Sequence, residues 1–284
     1  MNFKEIIKAL VPAPLWDVAR DRQNSIYDFF RNRGKSTGTM VYCGFDLSYG
    51  SGMSIVARTR KEGVFEQQLC SDIVKFLSKQ ENPTFLDIGG NIGLISLYVL
   101  ANSPNSKVYV FEPGRLQFDL FSRTVQTNSL GDRVALYNVA LGEESGEREF
   151  FIHDKREAAK DGFRDTGRGG TARVTAVHVD TLDAWWKDIG RPVINVIKID
   201  TEGAELLILR GGSECIAATR PRIYLEIEAR NLDVYPYTPG DILSWLHSNE
   251  YELFSLGGGL IKDTSSLEQY LTDGVDTYIG SPKK

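Results

Sequence analysis

Apolar and polar positions alternate along this chain in two rhythms. Short apolar runs bounded by glycine, proline or charged residues predict strands at 84–88, 107–111, 133–138, 193–199, 222–228, 251–255 and 276–280. Between them, apolar residues recur at helical spacing over 92–102, 115–128, 181–187, 203–211 and 239–248. Strands that alternate with helices imply a mostly parallel sheet with helices on both faces. Crossovers should be right-handed, and a ligand should bind outside the carboxyl ends of the strands.

The first third of the chain reads differently. Residues 1–34 carry amphipathic helical patterns (Ile6, Ile7, Leu10, then Leu15, Trp16, Val18, Ala19) broken at Pro12-Ala13-Pro14, and are expected to form a helical cap. Such a cap can also serve a homodimer contact. Residues 40–58 are rich in glycine, serine and aromatics and are expected to form one or two β-hairpins. Residues 65–77 read as an amphipathic helix, with Glu66 near its start, where an acid suits the helix dipole. The organisation expected is an N-terminal extension over 1–62 and a main domain over 63–284. The polar stretch 153–170 is too long for an ordinary connection and is read as a substrate lid.

Composition narrows the class. With 42% hydrophobic and 25% charged residues, the 284-residue chain has globular character. No apolar run reaches the ~18 residues of a membrane span. Lys4, Glu5 and Lys8 interrupt any secretory pattern at the start. Cys43, Cys70 and Cys215 form no metal or disulfide framework and suit a reducing, cytoplasmic setting. A net charge of −5 does not favour a nucleic-acid track.

The chemistry concentrates where strands end. The run Phe85-Leu86-Asp87-Ile88-Gly89-Gly90-Asn91-Ile92-Gly93 reads as strand, glycine turn and helix start. A second strand then ends at Glu112-Pro113, 25 residues after Asp87, where an acid can accept hydrogen bonds from ribose hydroxyls. Dinucleotide sites use G-x-G-x-x-G beneath a pyrophosphate, which an adjacent carboxylate would repel. Adjacent glycines behind Asp87 favour a cationic cofactor, S-adenosylmethionine, over NAD.

A second rim follows at Lys198-Ile199-Asp200-Thr201-Glu202-Gly203-Ala204-Glu205. Asp200 and Glu202 are candidates for accepting a substrate proton, and helix capping is the plainer alternative. Oxygen ligands from the same pair could instead hold Mg²⁺. Lys198 would need a partner inside the sheet, and Glu205 reads as a helix-surface or supporting acid. Glu226 and Glu228 share one strand face, again at the rim. Of the three histidines, His153 stands at the entry to the polar loop and is the remaining candidate base. No H-E-x-x-H, cysteine pair, Gly-x-Ser-x-Gly or Asn-Pro-Pro-Tyr motif is present.

Taken in order, Asp87-Ile88-Gly89-Gly90-Asn91-Ile92-Gly93, Phe111-Glu112-Pro113, Asn138-Val139-Ala140-Leu141-Gly142, Thr181-Leu182-Asp183 and the 198–205 stretch resemble the FkbM-type family of S-adenosylmethionine-dependent methyltransferases. The resemblance covers roughly residues 63–256, and departs at Gly90, where the family more often has alanine. It implies a class I, Rossmann-like methyltransferase fold: a seven-stranded, mostly parallel sheet with helices on both faces and an antiparallel last strand. It also implies O-methylation of hydroxyls on sugars, nucleotide-linked or in glycans, or on related secondary metabolites. Asp87, Gly89, Gly90, Asn91 and Gly93 would then contact the methionine part and Glu112 the ribose, with Ala140 and its neighbours near the adenine and Pro113 also in the cofactor site. Asp200 and Glu202 would face methyl transfer. A nucleic-acid methyltransferase, another small-molecule methyltransferase and a non-catalytic cofactor-binding protein remain the rival readings.

Overall fold

The computed structural model describes residues 37–153, 160–167 and 171–283. The helical cap expected over 1–34 and the middle of the expected lid lie outside the described residues. A hairpin of β1 (Thr37–Tyr42) and β2 (Phe45–Gly50) leads to α1 (Ser54–Glu62) and α2 (Gln67–Leu77). Only the first part of 40–58 is therefore hairpin. Its ladder ends at Gly50, and the chain turns into α1 instead of a further strand.

The alternation then proceeds through β3 (Thr84–Ile88), α3 (Leu94–Asn102), β4 (Lys107–Phe111), α4 (Arg115–Thr127) and β5 (Val134–Tyr137). Three strands leave the main layer: β6 (Ala140–Leu141), β7 (Gly146–Ile152) and β8 (Arg173–Asp180). The alternation resumes with α5 (Leu182–Asp188), β9 (Val196–Ile199), α6 (Glu205–Gly211), α7 (Ser213–Thr219), β10 (Arg222–Glu226), α8 (Ala229–Leu232) and α9 (Pro239–Ser248). It closes with β11 (Tyr251–Ser255), β12 (Leu260–Ile261), α10 (Thr264–Thr272) and β13 (Thr277–Pro282).

The main sheet has the order β12-β11-β13-β10-β9-β3-β4-β5. Strands β5, β4, β3, β9 and β10 are mutually parallel, whereas β13 runs antiparallel to both β10 and β11. This is the class I methyltransferase arrangement, and 251–255 and 276–280 form the expected antiparallel pair. The sheet has eight strands rather than seven because the two-residue β12 adds to the edge through Leu253 and Phe254.

Each face of the sheet carries its own core, as period-2 side chains dictate. Phe85, Val108, Val110, Val196 and Tyr224 pack beneath α2, α3 and α4, joined by Leu47, Tyr49 and Met53 from the hairpin side. Leu86, Phe111, Ile197, Ile199 and Leu225 pack against α5, α6, α7 and α9. On α2, Leu69, Ile73 and Leu77 are buried at helical spacing, each worth about 1.5–3 kcal/mol. Asp72, on the same helix, accepts from the Tyr224 hydroxyl at 2.7 Å and pairs with Arg222 at 3.1 Å, fastening α2 to β10. That anchorage places the start of α2 directly above the carboxyl ends of the central strands.

Candidate active site

The turn after β3 is shaped by what its glycines leave out. The Gly89 and Gly90 N–H groups donate to the Phe111 carbonyl at 3.0 and 3.2 Å, folding the turn back onto β4. Gly89 has φ +77°, and a Cβ there would overlap the carbonyl oxygen of Asp200. A Cβ on Gly93, at φ +85°, would overlap the Phe121 ring, so this glycine serves close packing between α3 and α4. Gly93 does not line the cavity that opens beside the turn; Asp87, Gly89, Gly90 and Asn91 do.

That cavity has a volume of about 330 Å³, within the range of small-molecule sites. Glu112 lines it from the end of β4 and is almost fully buried. Its two carboxylate oxygens accept from Asn91 N–H at 2.8 Å and Gly114 N–H at 2.7 Å. Burial pushes this carboxyl up to about 7, and the two backbone N–H groups pull against that rise. A carboxylate has about four acceptor positions, so Glu112 can latch the turn and still accept from a ligand. Pro113, Val139, Ala140 and Leu141 continue the wall, with the rings of Phe111, Phe150 and Phe163. All the expected cofactor residues except Gly93 thus converge on one cavity.

The far half of the cavity is acidic, with one buried cation inside it. Lys198 lies in register with Asp87 on β3 and Tyr224 on β10, so the three side chains share a sheet face. Its ammonium donates to the Gly89 carbonyl at 3.1 Å and lies 3.0 Å from Asp200 Oδ2 and 3.4 Å from Asp87 Oδ1. Asp87 in turn accepts from the Ser96 hydroxyl on α3 at 2.6 Å. Burial alone would lower the Lys198 ammonium, but Asp200 and Asp87 outweigh it and hold the group protonated. The partner that the sequence required for Lys198 is therefore a pair of carboxylates.

The loop from Asp200 to Ala204 is tied down from below. Glu205 is buried and its Oε1 accepts from Thr201 N–H, the Thr201 hydroxyl and Gly203 N–H, at 3.1–3.2 Å. Burial pushes Glu205 up to about 7 against those bonds. It is a loop fastener rather than a helix-surface acid. The Tyr237 hydroxyl also donates to the Gly203 carbonyl. Glu202 takes a left-handed φ of +56°, is buried, and lines the cavity beside Asp200. The two expected acids are brought together on one rim.

Two further acids complete that rim. Burial, reinforced by Asp200, raises Glu226 well above the ordinary carboxyl range, and the two share a hydrogen bond. Glu66 was legible only as a helix-dipole acid. It sits at φ +47°, a left-handed conformation that costs an L-residue about 1–2 kcal/mol. Its carboxyl lines the cavity and is 3.7 Å from the Arg58 guanidinium. Burial, with Asp200 adding, pushes it up to about 7. Glu66 enters the site because Asp72 anchors the helix it begins, a long-range contact that local sequence does not announce, and Arg58 on α1 joins it through their ion pair.

His153 is placed elsewhere. It is buried and is not among the cavity-lining residues; its ring lies between Asp161 at 3.5 Å and Asp165 at 3.6 Å. Its backbone N–H donates to Asp161 Oδ1 at 2.7 Å, and Gln117 on α4 donates to Asp161 Oδ2 at 3.0 Å. Gly162 and Phe151 exchange two backbone hydrogen bonds, so 160–163 lies as a strap over the cavity. His153 therefore serves the strap, and the loop entry that suggested a base instead buries the ring. The expected Mg²⁺ pair also meets an obstacle: the Lys198 ammonium occupies the position beside Asp200 that a cation would need. Among the described residues, the carboxylates that gather as a group of three, with one oxygen of each within 4.8 Å of the others, are Glu226, Glu228 and Asp276, and Glu228 already pairs with Arg230 at 2.8 Å.

With this geometry in hand, comparison with known proteins is informative. The methyltransferase FkbM domain family matches residues 87–253. Methyltransferase sdnD of Sordaria araneosa is 28% identical over 195 residues, covering 59% of this chain and 73% of that protein. The 2-O-methyltransferase NoeI of Sinorhizobium fredii is 29% identical over 178 residues, covering 56% of this chain and 69% of that protein. The crystal structure of methyltransferase FkbM from Methylobacillus flagellatus KT aligns with a TM-score of 0.44 at 18% identity, over 70% of this chain and 43% of that one. No helix among the described residues is long and apolar enough to cross a membrane. The glycine turn, the acid ending β4 and the acidic rim after β9 are thus features of a chain that belongs to the FkbM methyltransferase family.

Proposed function

We propose that this protein transfers a methyl group from S-adenosylmethionine to a hydroxyl of a sugar, nucleotide-linked or in a glycan, or of a related secondary metabolite. The observation that carries the reading is the single cavity in which the side-chain-free turn at Gly89 and Gly90 meets the buried acceptor Glu112. The turn leaves room for close backbone approach, and Glu112 offers lone pairs to a vicinal diol. Val139, Ala140, Leu141 and Phe111 supply the apolar wall that a purine needs. When bound, S-adenosylmethionine supplies a methyl group on a sulfonium leaving group. The chain's own task is to hold an acceptor hydroxyl in line with that methyl and take its proton.

Asp200 and Glu202 are the residues proposed to receive the proton. Both line the cavity from the loop that follows β9. Hydroxyl-rich ligands can donate to the carboxylates of this half, whereas a phosphate placed among them would be repelled. Glycan hydroxyls therefore suit the rim better than the phosphates of a nucleic acid. O-methylation is also what the name of the 2-O-methyltransferase NoeI describes for that relative. We read residues 63–284 as the donor-binding domain, a reducing cytoplasm as its setting, and 1–62 as an extension that bears on the acceptor or a homodimer contact.

Calorimetry with S-adenosylmethionine and with NAD tests the cofactor reading: the first should bind and the second should not. A mass-spectrometric screen of glycosides and nucleotide-linked sugars should then show a methyl-sized gain in one acceptor class. Binding of NAD without S-adenosylmethionine would refute the reading.

A further inference from the structure

The buried cation of the cavity, Lys198, neither binds the proposed donor nor takes the acceptor proton. Lys198 is sealed between β3 and β10, yet its ammonium reaches the cavity wall. It holds three things at once: the carbonyl of Gly89 on the donor turn, Asp87 beneath that turn, and Asp200 on the acceptor rim. The charges facing it are Asp87 on β3, Asp200 on the loop after β9 and Glu66 at the start of α2. A hydrocarbon side chain would fill the same volume without the ammonium, so packing alone does not call for a lysine.

We propose that Lys198 is a positioning residue that sets the charge balance of the donor crevice, lowering its preference for the sulfonium donor relative to the uncharged thioether product. The inference rests on the S-adenosylmethionine reading above. The acids around the crevice attract a cationic sulfonium, and unopposed they would hold the donor's ground state tightly. An ammonium fixed at the donor turn offsets part of that attraction. The offset is relieved as positive charge leaves the sulfur with the methyl group, so it favours the transition state over the bound donor. Its bond to Gly89 keeps the ammonium within one residue of the turn, where two like charges in a partly buried site still interact appreciably.

The test needs no acceptor. Dissociation constants for S-adenosylmethionine, S-adenosylhomocysteine and sinefungin (whose amine replaces the methylated sulfonium) are measured by calorimetry at pH 8.5. The proteins are the full chain and its Lys198→Met, Lys198→Gln and Lys198→Arg variants. In both uncharged variants the ratio of the homocysteine to the methionine dissociation constant should rise about tenfold. Sinefungin should follow the sulfonium, and Lys198→Arg should keep the wild-type ratio. Equal weakening of all three ligands would reduce Lys198 to a structural group and overturn the proposal. So would a fall in the ratio, or a failure of both uncharged variants to fold. If the wild-type chain binds neither donor nor product, the S-adenosylmethionine reading itself falls, a result distinct from an unchanged ratio in the variants.

Discussion

Gly90 offers the sharpest test of how the turn and the sheet fit together. Alanine is the commoner residue at this place in the family that the sequence resembles, and Gly90 has no left-handed φ to forbid a side chain. Yet a Cβ built here would overlap Cγ1 of Val110, which is 1% exposed on β4. Valine is stiff about χ1 and cannot swing that methyl aside without leaving its preferred rotamer. Gly90→Ala should therefore cost about 1–3 kcal/mol from overpacking, against a gain of about 0.4–1 kcal/mol from a less flexible unfolded chain. Val110→Ala removes two buried methyl groups and should cost about 2 kcal/mol or somewhat more with its cavity. In the double variant the new methyl enters the space vacated by Cγ1. The two changes should then couple by at least ~1 kcal/mol, making the double variant more stable than the sum of the singles predicts. Urea unfolding of the four proteins supplies the cycle, and calorimetry with S-adenosylmethionine supplies the functional readout. Additivity within ~0.5 kcal/mol would show that the turn relaxes freely and that Gly90 and Val110 are not matched in size.

Burial pushes the Glu112 carboxyl up to about 7, so donor binding should weaken about tenfold between pH 8 and pH 6 as the carboxylate proposed to accept from the ribose takes up a proton. Stability should move the other way: the folded carboxyl binds its proton more tightly than the unfolded one. Its contribution is greatest at low pH and is lost as pH rises from about 4.5 through about 7, which thermal melts of Glu112→Gln against the parent will show. Asp200→Asn should reduce turnover far more than donor affinity, and equal losses in both would indicate that Asp200 only supports the fold. Glu205→Ala removes three hydrogen bonds to one buried oxygen and should destabilise by about 2–4 kcal/mol in urea unfolding; a loss below ~0.5 kcal/mol would refute its role as loop fastener. Exhaustive chelation should leave methyl transfer intact, and its abolition with restoration by Mg²⁺ would show that the Lys198 ammonium does not keep a metal from Asp200.

The donor half of the site was legible because its signals are local. A strand that ends in an acid, adjacent glycines and a second strand ending in Glu112 fix a turn within some 25 residues, and the cavity assembles from those positions. The acceptor half was less legible because its residues meet only through the fold. Lys198 and Asp87 are separated widely in sequence but lie in register on neighbouring strands. Glu66 looked like a capping acid until Asp72 was seen to anchor its helix to β10. In the side sheet, β7 and the first half of β8 escaped the apolar pattern for a different reason, although Val177-His178-Val179 reads as a strand. Most of their residues, Glu147, Arg148, Glu149 and Arg173 to Ala176 among them, face solvent and need no hydrophobic alternation. His153 lies off the cavity because Asp161 of the strap and Asp165 beyond it close on its ring, contacts that a place at the loop entry does not announce.

Arg58 and Glu66 on one side of the cavity, and Asp276 and Thr277 on another, fall outside the stretch 87–253 that the family shares. On the proposed reading, donor capture rests on the shared stretch, whereas part of the acceptor side comes from segments that flank it. Segments flanking the common domain can drift toward new acceptors while the methyl supply stays intact. Grafting 37–66 from a relative is accordingly the shortest route to a changed acceptor in this scaffold.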